Sequence, residues 1–259
     1  MRTPEEIYLE RLGYQDVRVI KRLPSFTRQV SRCSAVKKGQ KCVVIKYHKH
    51  SIRRILTDYV VYGFSLIILR PVRAYVSEEG RIRGEIVARK ILKKNGIYTP
   101  ELIYPKDVRR LTQSGYFIVE EYVDAEPLTR FVEEREATII EDVGYRIGEK
   151  TASLHRQGYA FGDNRASNTL VKLDGEIRIY KVDHEYFCWD PYKLFQILDI
   201  VLVTRYPGIP RSFADSFFEG YRNAGGFEAL AVNPHHFRRT SYLLGKLLSL
   251  PLLFIKRFE

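Results

Sequence analysis

Apolar and polar residues alternate in three segments early in the chain: Val17-Arg18-Val19-Ile20, Val30 to Val36, and Cys42 to Tyr47. A period of two predicts strands, and Lys37-Lys38-Gly39-Gln40 predicts a turn that joins the second and third as a hairpin. Ile52 to about Ser77 reads as mixed helix. From Arg81 to Asn95 the apolar residues Ile82, Ile86, Ala88, Ile91 and Leu92 form one stripe, so a helix is expected, with Gly96 as its stop. Tyr116 to Tyr122 reads as an apolar strand, and Glu141 to Gln157 as a helix ended by Gly158. Thr169 to Leu173 and Ile177 to Val182 are short strands around an Asp174-Gly175 turn. The pattern from Tyr192 onward is mostly helical. This order predicts an α+β fold with a sheet-rich first half, a helical second half and a boundary near Tyr122.

Composition narrows the class. The chain has 259 residues, 45% of them hydrophobic and 29% charged, enough for one large domain or two lobes. Cys33, Cys42 and Cys188 have no metal-ligand spacing, which points to buried thiols in a reducing compartment. The start, Met1 to Leu12, is charged and helix-like, unlike a signal peptide. The apolar runs Tyr59 to Leu69 and Tyr242 to Ile255 are too short or too interrupted to span a membrane. Core helices are expected there, with interfacial helices as the alternative. A cytoplasmic location follows, peripheral at a membrane in the second case.

Charge is uneven within the formal total of +12. Val17 to Leu56 holds twelve Lys or Arg and no Asp or Glu, whereas Glu120 to Lys150 holds ten acidic and four basic residues. The basic block 17–56 reads plainly as a solvated strand surface. The sharper reading is a face for RNA or an anionic membrane.

Four features suit phosphoryl transfer, which needs a cation on phosphates, oxygen ligands for a divalent ion and a carboxylate at the attacking hydroxyl. Lys46 closes an apolar strand and can face phosphates, or simply solvent. Glu85, on the helix from Arg81, can orient that lysine or be solvated. Asp163 and Asn168 stand five apart in Gly162-Asp163-Asn164-Arg165-Ala166-Ser167-Asn168, between a helix and the small hairpin. Carboxylate and amide then serve nucleophile and metal, unless the segment is an ordinary Asx turn. Asp183 closes the hairpin and can share a hard cation with Asn168, or merely cap a strand.

Strand lysine, helix glutamate, Asp-x4-Asn and hairpin-closing Asp together resemble the protein-kinase-like superfamily over about Val17 to Gly225. The chain is most similar to the atypical RIO kinases and to the small kinase of the KEOPS tRNA-modification complex. Ala152-Ser153-Leu154-His155 before Gly162-Asp163, the stretch Gly96 to Ile103, and the 39-residue step from Lys46 to Glu85 carry that likeness. The resemblance implies two lobes, 1–122 with an antiparallel sheet plus helix and 123–259 mainly helical. It implies that Lys46 binds phosphates of ATP and Glu85 holds it, that Asp163 positions or deprotonates the acceptor, and that Asn168 and Asp183 ligate Mg2+ or Mn2+. Glu120, Glu121 and Tyr122 fall at the interlobe hinge, where backbone groups would meet adenine.

The departures also count. Leu23 to Arg28 contains no glycine, so Ser25 or Thr27 would assist the backbone at the phosphates. Phe161 stands where the family usually has histidine, and His184-Glu185 follows Asp183. A helix resumes by Tyr192, which leaves no peptide-docking segment. The expected function is an atypical serine/threonine kinase or ATPase acting on a protein or ribonucleoprotein. A small-molecule, sugar or lipid-head-group kinase, and a non-catalytic nucleotide-binding module, are the alternatives. His155 is expected to pack under the catalytic loop and Trp189 to be core or hinge packing. Asp199 is expected either to brace the loop or to sit on a helix face.

Overall fold

A computed structural model describes residues 3–23, 28–37, 40–48, 78–105, 117–184, 186–190, 193–234 and 236–237. The elements are α1 (Pro4–Arg11), β1 (Gln15–Leu23), β2 (Arg28–Lys37), β3 (Gln40–His48), α2 (Glu78–Lys94), β4 (Leu102–Tyr104), β5 (Phe117–Glu121), β6 (Glu126–Pro127), α3 (Leu128–Glu134), α4 (Ala137–Arg156), β7 (Tyr159–Ala160), β8 (Thr169–Leu173), β9 (Ile177–Lys181), β10 (Cys188–Trp189), α5 (Leu194–Thr204), α6 (Arg211–Asn223) and α7 (Gly226–Leu230). The expectations for Ile52 to Ser77 and Tyr242 to Ile255 lie outside the described residues. Among the described residues no helix is long and apolar enough to cross a membrane. The chain divides into two compact units, Met1–Val87 with Pro100–Val123, and Ala88–Thr99 with Asp124–Glu259.

Unit 1 is built on an antiparallel sheet in the order β1-β2-β3-β5-β4. Period-two alternation gives it two unlike faces. Cys33, Ala35, Val43, Ile45, Phe117 and Val119 pack on one face with Leu9 of α1 and with Tyr14. Helix α1 starts on a capping box: the Glu6 amide donates to the Thr3 hydroxyl and the Thr3 amide to the Glu6 carboxylate. Its Glu5 is fully buried and accepts from the Ser31 hydroxyl at 2.7 Å, which locks helix to sheet. The other face carries Ile118, which packs with Leu102 and with Ile82 and Ile86 of α2.

Unit 2 has its main core between α3, α4, α5 and α6, with Phe131, Ile140, Val143, Ile147, Ile200, Phe213 and Phe217 among its members. The β8–β9 hairpin is antiparallel, with Leu173 opposite Ile177, and β6 extends it on the β8 side. A second cluster joins Ala88, Leu92 and Ile97 to Leu154, Phe161 and Phe187. Lys150 donates to the Gly96 carbonyl at 2.6 Å, just past the end of α2.

Helices α4 and α6 approach backbone to backbone through glycines. A Cβ on Gly148 would overlap the Phe217 carbonyl oxygen, one on Gly220 the Tyr145 carbonyl oxygen, and one on Gly144 would lie 2.6 Å from the Phe213 oxygen. No side-chain rotation relieves a clash with backbone, so the helices themselves must part. Gly148→Ala is expected to destabilise the protein by about 1–3 kcal/mol, read from urea unfolding. Full stability in that variant would show that the crossing is looser than described.

Candidate active site

The site grows from the loop between β7 and β8. Gly162 is required there twice over. Its φ of +76° favours glycine, and a Cβ would overlap the Tyr186 carbonyl. The chain after Asp183 therefore passes directly beside the start of the loop.

A buried carboxylate holds the loop from below. Asp199 of α5 is fully buried; its Oδ2 accepts from the Phe161 amide at 2.6 Å and its Oδ1 from the Gly162 amide at 2.9 Å. His155, near the end of α4, contacts Asp199 Oδ2 through Nε2 at 3.2 Å and the Tyr221 hydroxyl through Nδ1 at 2.8 Å. A carboxylate only accepts, so Nε2 carries a proton toward Asp199. Burial pushes the Asp199 carboxyl upward, and the bonds from His155 and the Phe161 amide pull it back down. Asp199 thus braces the loop, and His155 packs beneath it rather than in it.

Three residues named from the sequence meet at the mouth of the hairpin. Asp163 and Asn168 touch: the Asn168 amide nitrogen donates to Asp163 Oδ2 at 3.0 Å and to its backbone oxygen at 3.2 Å. Asn168 and Asp183 close the same end of the hairpin, where Thr169 pairs with Lys181 and the Val182 amide donates to the Asn168 carbonyl at 3.0 Å. Asp183 has a φ of +62°, a left-handed conformation that costs free energy in a residue other than glycine and that collects at functional sites.

Arg165 is the member that sequence reading passed over. Its Nε and a terminal nitrogen grip both Asp163 oxygens, at 2.6 and 2.7 Å. Burial works against the guanidinium charge, but the bonds and charge of Asp163 outweigh it, helped by Asp183, and raise the pKa. A cation two residues after the carboxylate was the available signal. Lys181 is the second omission. It is buried at the end of β9 and donates to Thr169 Oγ1 at 2.6 Å and to Asn164 Oδ1, with its amine 5.0 Å from the Phe161 ring centre. Burial pushes its amine down to about 7, against the pull of Asp199 and Asp163.

The remaining predicted residues belong to unit 1. Position 46 pairs with Val30 and Ile118 in the sheet, and Ile118 is the residue on which α2 packs. The side chain of Lys46 lies outside the described residues, as do Ser25 and Thr27. Glu85 is 1% exposed on α2, between Ile82 and Ile86. Glu120 is 3% exposed and sits in the ladder between Val44 and Leu102. The Glu121 amide donates to the Glu101 carbonyl at 2.9 Å, so the first residues past the ladder are Tyr122 and Val123. Arg32 lies 3.8 Å above the Tyr122 ring. Trp189 departs from the sequence expectation: it is 63% exposed, because β10 pairs only with the two residues of β7 and lies outside the core.

Among the described residues no group of three or more His, Cys, Asp or Glu side chains gathers as a metal cluster. One carboxylate and one amide oxygen still suit a hard divalent ion that keeps waters and phosphate oxygens as its other ligands. Asn168 turns its amide hydrogens onto Asp163, which leaves Oδ1 as the oxygen to offer. The donor set fits a hard divalent ion such as Mg2+ or Mn2+.

Comparison with solved structures places this architecture. The chain is similar to WaaP, seen in complex with acyl carrier protein, with a TM-score of 0.54 and 14% identity over 95% of this chain and 93% of that one. It is equally similar to the Rio2 kinase of Chaetomium thermophilum, seen in an ADP/Mg2+-phosphoaspartate complex, with a TM-score of 0.54 and 16% identity over 93% of this chain and 74% of that one. No family model matches the sequence. No curated protein matches it by sequence either.

Two stability measurements test the buried network. Asp199→Ala leaves two loop amides and His155 without their acceptor, and is expected to cost about 3–5 kcal/mol in chemical denaturation. A loss below 1 kcal/mol would mean that the loop is held elsewhere. For Lys181, the unfolded lysine titrates near 10.4 and the folded one near 7. Between these values the unfolded chain binds more protons, so this group makes stability rise with pH, by up to about 1.4 kcal/mol per unit. Urea midpoints at pH 7, 8 and 9 are expected to climb in the wild type and to flatten in Lys181→Met.

Proposed function

From the protein-kinase-like fold that the chain shares with these structures, we propose that it is an ATP-dependent phosphotransferase. The observation that carries this reading is the meeting of Asp163, Asn168 and Asp183 at one end of the β8–β9 hairpin, on a loop fixed by Asp199.

Asn168 Oδ1 and Asp183 would hold the divalent ion, which would supply charge neutralisation for the transferred group. Asp163 receives the acceptor hydroxyl. A carboxylate has about four acceptor positions. Arg165 and the Asn168 amide fill three of them, two on Oδ2 and one on Oδ1. One position on Oδ1 is left for the hydroxyl proton. The acceptor oxygen bonds to the γ-phosphorus, the bond to the β-phosphate oxygen breaks, and ADP leaves. Lys46 binds the phosphates, with Ser25 or Thr27 beside them, and Glu85 orients the lysine. The backbone at the end of β5, at Glu120, Glu121 and Tyr122, meets the adenine.

The acceptor is a serine or threonine of a protein or ribonucleoprotein partner. The basic block supports this, since Arg18, Lys21 and Arg22 stand exposed on β1 and suit a phosphate-rich surface. One observation favours a second reading, a small-molecule or lipid-head-group acceptor: ten residues, 184–193, separate Asp183 from α5, and β10 lies within them. So short a connection offers little platform for a peptide.

The test begins with calorimetry of ATP with and without Mg2+. Asp183→Ala is expected to abolish the metal-dependent binding. Asp163→Asn is expected to keep it while transfer of radiolabelled phosphate falls at least about 100-fold. Full transfer in either variant would overturn the assignments. Label appearing in a ribonucleoprotein fraction supports the first acceptor class; label appearing in lipid or sugar supports the second.

A further inference from the structure

Lys181 has no part in the chemistry above, yet it is the one lysine among the buried described residues. The pattern of β9 argues against a lysine there. Ile179, two residues earlier and on the same face, is buried in the main core, and an apolar residue at 181 would continue that face. Stability alone does not call for an amine, because an apolar side chain of similar volume in place of a buried charge is often neutral or stabilising. A local rule broken without structural gain points to function.

Its contacts fall beside every member of the site. Lys181 donates to Asn164, which directly follows Asp163, and to Thr169, which directly follows Asn168. Lys181 itself, the last residue of β9, precedes Asp183 by two positions in the chain. Asn164 relays the hold to α5, donating through Nδ2 to the Asp199 carbonyl at 3.2 Å. Asp199 thus fixes the loop on the side of Phe161 and Gly162, and Lys181 fixes it on the side that leads to the metal pair.

We propose that Lys181 is a positioning residue which sets the spacing between Asp163 and the metal-binding pair Asn168 and Asp183 by pinning Asn164 and Thr169 to β9. The amine needs two N–H bonds for this, and it has them whether protonated or neutral. The proposal rests on the phosphotransferase reading for its consequence in turnover, but its structural part stands apart from that reading.

Amide hydrogen exchange of the full chain without nucleotide tests the structural part. Lys181→Met is expected to speed exchange across Asn164 to Asn168 by about tenfold, the equivalent of one net hydrogen bond, while α4 and α6 exchange as in the wild type. Should Lys181→Met fail to fold, Thr169→Val removes one bond at nearly constant volume and must speed exchange over the same residues. Turnover of Mg·ATP tests the consequence. In Lys181→Met, kcat is expected to fall about 100-fold, the cost of a small misplacement, with a much smaller change in KM. Unchanged exchange over 164–168, or unchanged kcat beside normal Mg·ATP binding, overturns the proposal. A wild type that binds no Mg·ATP overturns the phosphotransferase reading instead, and exchange then still decides whether Lys181 pins the loop.

Discussion

The second unit depends on one buried carboxylate. Asp199 is fully buried on an apolar helix, so its charge is tolerable only while donors surround it. Two loop amides and one imidazole are those donors. The requirement runs both ways: the carboxylate needs the loop in one conformation, and the loop amides have no other acceptor. Shape in the β7–β8 loop is therefore enforced by the electrostatics of the interior.

Charge compensation extends that constraint outward. Asp163 is paired with Arg165, and Asp183 adds its field to the same guanidinium. Lys181 lies in the field of Asp199 and Asp163. Acidic and basic side chains thus alternate from the interior to the mouth of the hairpin. Each charge is bearable because its neighbour is present, which makes the group more interdependent than a row of surface ion pairs.

Much of this was legible in the sequence, for identifiable reasons. The strands β1 to β3 show because period-two alternation runs over enough residues to register, and β5 shows as a continuous apolar run. The helix over 137–156 and the hairpin around Asp174-Gly175 show because glycines punctuate them. The two-residue strands β6, β7 and β10 carry no period at all and exist only through tertiary pairing. Trp189 was expected to be core or hinge packing, and an edge pairing of two residues leaves it largely exposed. Lys181 was passed over within the strand Ile177 to Val182. The alternation Ile177, Ile179, Lys181 already placed an amine on a core-facing position, and that conflict was the signal. Arg165 was hidden for another reason: spacing draws the eye to acids and amides, whereas its grip on Asp163 is a matter of side-chain reach.

The glycine crossing of α4 and α6 has its own consequence. Most helix pairs are separated by side chains that can change rotamer and absorb a disturbance. Here, at Gly144, Gly148 and Gly220, backbone lies on backbone, and nothing between the helices can repack. Such a pair keeps its spacing or separates altogether. His155 on one helix and Tyr221 on the other share a hydrogen bond, so the support beneath Asp199 inherits that all-or-none character. Heating would leave the loop's foundation intact up to a threshold and then remove it in one step, with little softening in between.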